Sequence, residues 1–443
     1  MERLKIMNIE FAEVILWGNR IGIVSFDPKD GYTRFEYDKD FIQSGIEISP
    51  IMMPLNNAVY SFPTLNKETF KGLPGLLSES LPDKFGDKVV EAYYKSQGRS
   101  LKDLSPIERL CYTGKRGMGA LEYIPSTGPK TDKQETIQIN KMVDLASQVL
   151  NNRKTLKLKK DDTNYINLLK FSTSAGGARA KATVAYNKKT KRFFSGQIAN
   201  KKDCNYYIIK FDEVNNNGDY GIKDSKGYTR VEYAYYLMAR KAHINMNECF
   251  LYKEGNMRHF MTLRFDRQDK TGNKIHMLSL GGIGHFDYKQ PRTCSYEIAA
   301  SICSRLNIGN DEIQELYRRM VFNVIAINND DHVKNISFLM DKKGKWSLAP
   351  AYDITFAYKS NNQWLAEHQM LINGKSKDIT YEDLLASASS MNISKAKAIS
   401  IIKEVIDSVS KWDEFASEAE VFKEDQKTIG SMLKNSILPF INK

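Results

Sequence analysis

The chain has 443 residues, 42% hydrophobic and 27% charged, with a net charge of +12 and an isoelectric point near 9.1. That supplies apolar material for substantial cores in two or three units and excludes a disordered or low-complexity chain. No run of about eighteen uncharged apolar residues occurs, and Met1-Glu2-Arg3-Leu4-Lys5 leads into acidic residues rather than an apolar signal region, so no membrane segment is expected and the cytoplasm is the default compartment. Cys111, Cys204, Cys249, Cys294 and Cys303 have no metal-ligand spacing and an odd count, which predicts reduced, packed thiols. The basic balance suits anionic partners such as nucleotides, nucleic acid or acidic proteins. Because the lysines are spread along the whole chain, a solvated basic face also accounts for it.

In chain order, residues 11–26 alternate apolar and polar side chains around Gly18-Asn19, which predicts a hairpin. Residues 65–123 turn helical and end at Gly114, Gly117 and Gly119 before the strand-like Ala120-Leu121-Glu122-Tyr123. A polar linker is placed over 126–134 and a helix over 137–151. Strand-like runs follow at 182–186, 206–211, 249–252 and 260–265, with a helix at 231–242 between the second and third. From Tyr296 onward helical periodicity dominates, broken by short strands at 336–340 and 346–348. Ser394 caps a helix whose inner face is read as Ile399, Ile402, Ile406 and Val409. The expected units are 1–130, a β-rich nucleotide-binding lobe over 135–268 and a helical catalytic lobe over 269–443.

Phosphoryl transfer needs a carboxylate for the attacking hydroxyl, oxygen ligands for magnesium, and cations on the nucleotide phosphates. In Asn328-Asn329-Asp330-Asp331-His332-Val333-Lys334-Asn335 the four residues between Asp330 and Asn335 match the spacing of a kinase catalytic loop. Asp330 is therefore the expected base, rather than its neighbour Asp331. Eighteen residues beyond Asn335 comes Asp353, and these two are the expected magnesium ligands, with ATP and Mg2+ as cofactors. His332 is expected to hold the loop by bonding the backbone, close to the nucleotide with Lys334. Upstream, Phe171-Ser172-Thr173-Ser174-Ala175-Gly176-Gly177-Ala178-Arg179-Ala180-Lys181 is a small-residue loop able to bring backbone N–H groups to phosphates. Gly176, Gly177, Ala178, Arg179 and Lys181 are its nucleotide-binding candidates. Lys210, at a strand end, and Glu232, in the next helix, stand in the order of the kinase ion pair that aims a lysine at phosphates. Phe265 lies in a segment, 260–267, that suits an adenine-facing hinge, although Arg264, Asp266 and Arg267 equally suit a structural ion network.

These motifs resemble the HipA family of bacterial toxin kinases. The resemblance is carried by Leu81-Pro82-Asp83-Lys84-Phe85-Gly86-Asp87 with Gly119-Ala120-Leu121, by Gly176-Gly177-Ala178-Arg179-Ala180-Lys181, and by 329–335 with Pro350-Ala351-Tyr352-Asp353. It implies an α+β, two-lobed protein-kinase-like fold with an extra N-terminal α/β subdomain and a mostly helical C-terminal lobe. It implies serine/threonine kinase activity, with Ser174 autophosphorylated as an off-switch and Ser172 and Thr173 as adjacent alternatives. It further implies a protein substrate such as an aminoacyl-tRNA synthetase, a small helix-turn-helix antitoxin, and DNA contact through that antitoxin. The kinase signatures His-Arg-Asp and Asp-Phe-Gly are missing. A kinase-like small-molecule phosphotransferase and a catalytically idle co-repressor are the competing readings.

Overall fold

A computed structural model describes residues 9–96, 98, 100–129, 136–150, 179–197, 201–214, 226–268 and 270–441. The first strands are β1 (Phe11–Leu16), β2 (Asn19–Asp27), β3 (Tyr32–Tyr37), β4 (Val59–Tyr60) and β5 (Leu121–Ile124). They form an antiparallel sheet in the order β4-β3-β2-β1-β5. Ala12, Val14 and Leu16 face a core while Phe11 is exposed, the period-two pattern of a sheet covered on one side. The first turn is Trp17-Gly18, one residue earlier than the sequence suggests, with φ of 50° and 87°. A two-residue hairpin loop of the favoured twist needs the left-handed region at both positions, so pairing of Leu16 with Asn19 decides the register.

The second sheet contains β6 (Lys181–Asn187), β7 (Arg192–Ser195), β8 (Asn205–Lys210), β9 (Cys249–Glu254) and β10 (Met257–Leu263), in the order β7-β6-β8-β10-β9. The helix Tyr228–Lys241 joins β8 to β9. A third sheet, β11 (His276–Ser279), β12 (Ser337–Met340) and β13 (Trp346–Leu348), sits among the helices Tyr296–Arg305, Asn310–Ile325, Tyr381–Ser390 and Lys395–Val409. This is the α+β, two-lobed kinase-like arrangement with an additional N-terminal sheet. Strand β7 and strand β11 were not anticipated, and β11 pairs with β12 across a long stretch of chain that no local pattern reports. In Lys395–Val409, Ser394 Oγ accepts the Lys397 N–H, and the buried stripe is Ala398, Ile401, Ile402, Val405 and Val409. Ile399 and Ile406 are only half-buried, so the inner face is rotated from the one expected. All five cysteines are buried and free. Among the described residues no helix is long and apolar enough to cross a membrane.

The N-terminal sheet shares one apolar core with the helical lobe, whereas the second sheet has its own, entered by Phe85 and Val89 from the helix Lys84–Ser96. A fully buried cluster joins the N-terminal sheet to the segment after β10. Asp266 accepts from Arg264 Nε at 2.9 Å, Arg264 Nη2 at 2.8 Å, Arg267 Nη1 at 2.6 Å and the Gly119 N–H at 2.9 Å. Arg267 also donates to the carbonyls of Gly117 and Gly119. Burial opposes charge on Asp266, yet Arg264 and Arg267 outweigh it and hold the carboxyl well below its usual range. This is the structural network the sequence allowed for these three residues. Asp266→Asn leaves two buried guanidiniums short of a counter-charge and is expected to cost about 3–5 kcal/mol, read by denaturant unfolding.

A second link is neutral. His285 Nε2 accepts the Gly75 N–H at 2.9 Å between the Phe62 and Phe70 rings, and burial pushes its pKa down to about 4. Burial does the same to His276, outweighing the opposing hydrogen bond of its Nε2 with the Ile48 carbonyl. A folded value of about 4 lies below the ordinary value near ~6.5. The stabilisation is therefore complete above about pH 6.5 and is lost as the pH falls toward the folded value. The thermal midpoint is expected to drop across that window, and the double variant His276→Gln/His285→Gln to flatten the drop.

Candidate active site

The segment after the helix Asn310–Ile325 is shaped before it carries any chemistry. Ile327 takes φ of 53°, a left-handed conformation that a β-branched residue adopts only under constraint. Asn328 Nδ2 then donates to Asn323 Oδ1, the Asn329 N–H to the Ala357 carbonyl, and Asn329 Nδ2 to the Leu365 carbonyl. Asp331 is buried and accepts from Tyr296 OH at 3.0 Å and from the Gln369 N–H at 2.8 Å, with His368 Nδ1 at 3.0 Å. Asp331 therefore holds the loop to the helical lobe. Asp330 Oδ1 accepts from Gln369 Nε2 at 2.5 Å, and the Asp330 carbonyl accepts from Asn335 Nδ2 at 2.8 Å. Asn335 keeps its amide oxygen for another partner.

His332 does not do what its sequence position suggested. It is half-buried beside Tyr288, with ring centres 5.9 Å apart, and its Nδ1 has no hydrogen-bond partner. The loop is pinned by Asp331 because three donors reach that carboxylate from elements distant in sequence. Gln369 and His368 were not anticipated, and no local motif marks them.

Asp353 follows β13 with φ of 53°, again a non-glycine in the left-handed region. Its Oδ1 lies 2.5 Å from Lys210 Nζ, which is also 2.5 Å from Glu232 Oε1. Lys210 and Glu232 are buried, and Asp353 keeps 31% of its side-chain surface exposed. Burial works against the Lys210 ammonium, but Asp353 and Glu232 outweigh it and raise its pKa. Burial likewise opposes ionisation of Asp353, while the charges of Lys210 and Lys181 bring it down to about 2. Asn335, Tyr352 and Asp353 line a small cavity with Asp331, Asn323 and Arg319. An amide oxygen and a carboxylate on one cavity wall are hard oxygen donors of the kind magnesium takes alongside phosphates and water.

The other candidates gather at the same cleft. Lys181 Nζ is 3.6 Å from Asp83 Oδ2, and Lys334 Nζ is 3.5 Å from Glu79 Oε1 and 5.0 Å from the Tyr288 ring centre. Arg179 lies over Tyr228 at 4.1 Å and 4.0 Å from Glu232 Oε2. The Phe265 ring is 5.3 Å from that of Tyr352, whose hydroxyl donates to the Lys334 carbonyl. Ser172, Thr173, Ser174, Gly176, Gly177 and Ala178 lie outside the described residues. Loss of the Asp331 anchor by Asp331→Ala strands buried donors and is expected to cost roughly 2–4 kcal/mol. Chemical denaturation measures it.

Comparison with known proteins places this arrangement. A Haemophilus influenzae protein provisionally named as a kinase is 30% identical over 175 residues, covering 33% of this chain and 48% of its own. The match thus spans about half the length of that relative. The HipA toxin of Shewanella oneidensis MR-1, solved with HipB and operator DNA, superposes with a TM-score of 0.66 over 96% of each chain at 18% identity, which is a likeness of fold. The HipA N-terminal domain family matches residues 12–124 and the HipA-like C-terminal domain family residues 173–412. The two matches take in the N-terminal sheet and every residue of the cleft in turn, and the chain belongs to the HipA family.

Proposed function

We propose that the chain is an ATP- and Mg2+-dependent serine/threonine protein kinase that acts as the toxin of a HipA/HipB-like pair. The observation that carries this reading is Lys210 held between Glu232 and Asp353, with Asp330 and Asn335 hydrogen-bonded to each other on the loop beside it. A lysine fixed by a helix glutamate is the device that directs a cation at nucleotide phosphates, and a loop carboxylate beside it suits a hydroxyl nucleophile. On this reading Asn335 and Asp353 hold magnesium, which neutralises phosphate charge, and Asp330 receives the proton of the attacking hydroxyl. Lys181, Arg179 and Lys334 face the phosphates, and Phe265 with the end of β10 faces the base.

Self-phosphorylation at Ser174, or at the adjacent Ser172 or Thr173, would add about −1.5 to −2 charges beside that site and switch it off by repulsion. The Shewanella protein was captured with HipB and operator DNA. By that parallel this chain takes a small DNA-binding antitoxin and reaches DNA through it, in the cytoplasm. Its substrate is a protein, for which an aminoacyl-tRNA synthetase is the first class to try.

Purified chain with Mg2+ and γ-labelled ATP is expected to label itself. Asp330→Asn should lower the rate by roughly 10² to 10⁴-fold with little change in thermal midpoint, since an asparagine Oδ1 still accepts from Gln369 Nε2 and the Asp331 contacts are untouched. Labelling that survives both Asp330→Asn and Asp353→Asn would refute the assignment.

A further inference from the structure

The motif Leu81-Pro82-Asp83-Lys84-Phe85-Gly86-Asp87 has no task in the phosphoryl-transfer reading, and its place in the fold supplies one. Asp83 precedes the helix Lys84–Ser96. Its Oδ1 accepts the Gly86 N–H at 2.5 Å, and its carbonyl accepts the Asp87 N–H at 2.7 Å. One carboxylate oxygen is thus spent on starting the helix. The other, Oδ2, has no hydrogen-bond partner and points at Lys181 Nζ, 3.6 Å away, with the Asp83 and Lys181 side chains 6% and 3% exposed.

Lys181 opens β6 and stands directly opposite Lys210 of β8. Opposed residues of an antiparallel pair project to one face with Cβ atoms about 4.5–5.5 Å apart, and like charges so placed repel. The sheet nevertheless carries both lysines at its cleft end, and each has a carboxylate from outside the sheet. Lys210 has Glu232, from the helix that follows β8, and Lys181 has Asp83, from the N-terminal unit. The charges of both lysines bear on Asp353. Phe85 and Val89 are buried in the apolar core of the second sheet, which also holds Ala180, Ala182 and Val184, so apolar packing fixes the helix independently of the ion pair.

We propose that Asp83 is a positioning residue of the nucleotide site, holding Lys181 toward the phosphates as Glu232 holds Lys210, so that the N-terminal unit completes the site. The proposal rests on the phosphotransferase reading. By linkage, nucleotide binding and the seating of the segment that bears Asp83 strengthen each other by the same factor.

The test is Mg·ATP binding by calorimetry on the full chain, with thermal midpoints recorded for wild type, Lys210→Met, Asp83→Asn, Asp83→Glu, Lys181→Met and Asp83→Asn/Lys181→Met. Asp83→Asn is expected to weaken Mg·ATP about tenfold, Asp83→Glu to recover most of the loss, and the double variant to bind no worse than Lys181→Met alone. In self-labelling, Asp83→Asn should raise the KM for ATP by the same ratio while kcat falls less. A lowered midpoint with unchanged affinity, or losses that multiply in the double variant, would overturn the proposal. Wild type that binds no Mg·ATP, or Lys210→Met that binds it as well as wild type, overturns the phosphotransferase reading and this proposal with it.

Discussion

The Lys210 ammonium is the point on which the cleft depends. A buried cation is costly unless paired, and this one is satisfied only when two separately carried carboxylates reach it, Glu232 from the helix Tyr228–Lys241 and Asp353 from the segment after β13. The two lobes are therefore joined by the same atom that would face a nucleotide. Asp353 meets this demand from a left-handed backbone that an aspartate tolerates but does not favour, and the surrounding structure holds it there. An ammonium with two carboxylates can exchange one of them without being left bare, a suitable property for a group that must respond to an incoming ligand.

That geometry is supported from a distance. The Asp266 cluster fixes the chain leaving β10 to Gly117 and Gly119, and His285 fixes the short helix after β11 to Gly75. Trp17 Nε1 donates to the Lys274 carbonyl and Trp346 Nε1 to the Glu47 carbonyl. The N-terminal sheet thus braces both lobes at several points, and its apolar residues merge with the helical lobe in one core. Removing it would expose that core as well as break the polar contacts.

What was legible in the sequence follows the range of the forces involved. Strands β6, β8, β12 and β13 and the helix after Ser394 announce themselves by local periodicity and capping, and the spacing of Asp330, Asn335 and Asp353 survives in any alphabet of chemistry. The pairing of Lys210 with Glu232 was legible because it follows chain order. Three features were not. Gln369 and His368 reach the loop from beyond Leu365, β11 exists only through β12, and Asp83 meets Lys181 across two units. Each depends on tertiary proximity, for which one sequence carries no signal. His332 was expected to hold the loop through the backbone, whereas its Nδ1 has no partner and the anchor observed is the carboxylate of Asp331.

The cations of the cleft are paired with carboxylates. Arg179, Lys181, Lys210 and Lys334 each lie within 4.0 Å of a carboxylate of Glu79, Asp83, Glu232 or Asp353. A bare polyanion entering such a place would find its attraction to the lysines offset by repulsion from the carboxylates. A polyanion that brings its own divalent cation would not, because Asp353 would then hold the cation and Lys210 the phosphates. On the proposed reading, a requirement for metal and nucleotide together would follow from this pairing of cations with carboxylates rather than from any single ligand, and the carboxylates that meet Lys181 and Lys334 from the N-terminal unit would be part of it.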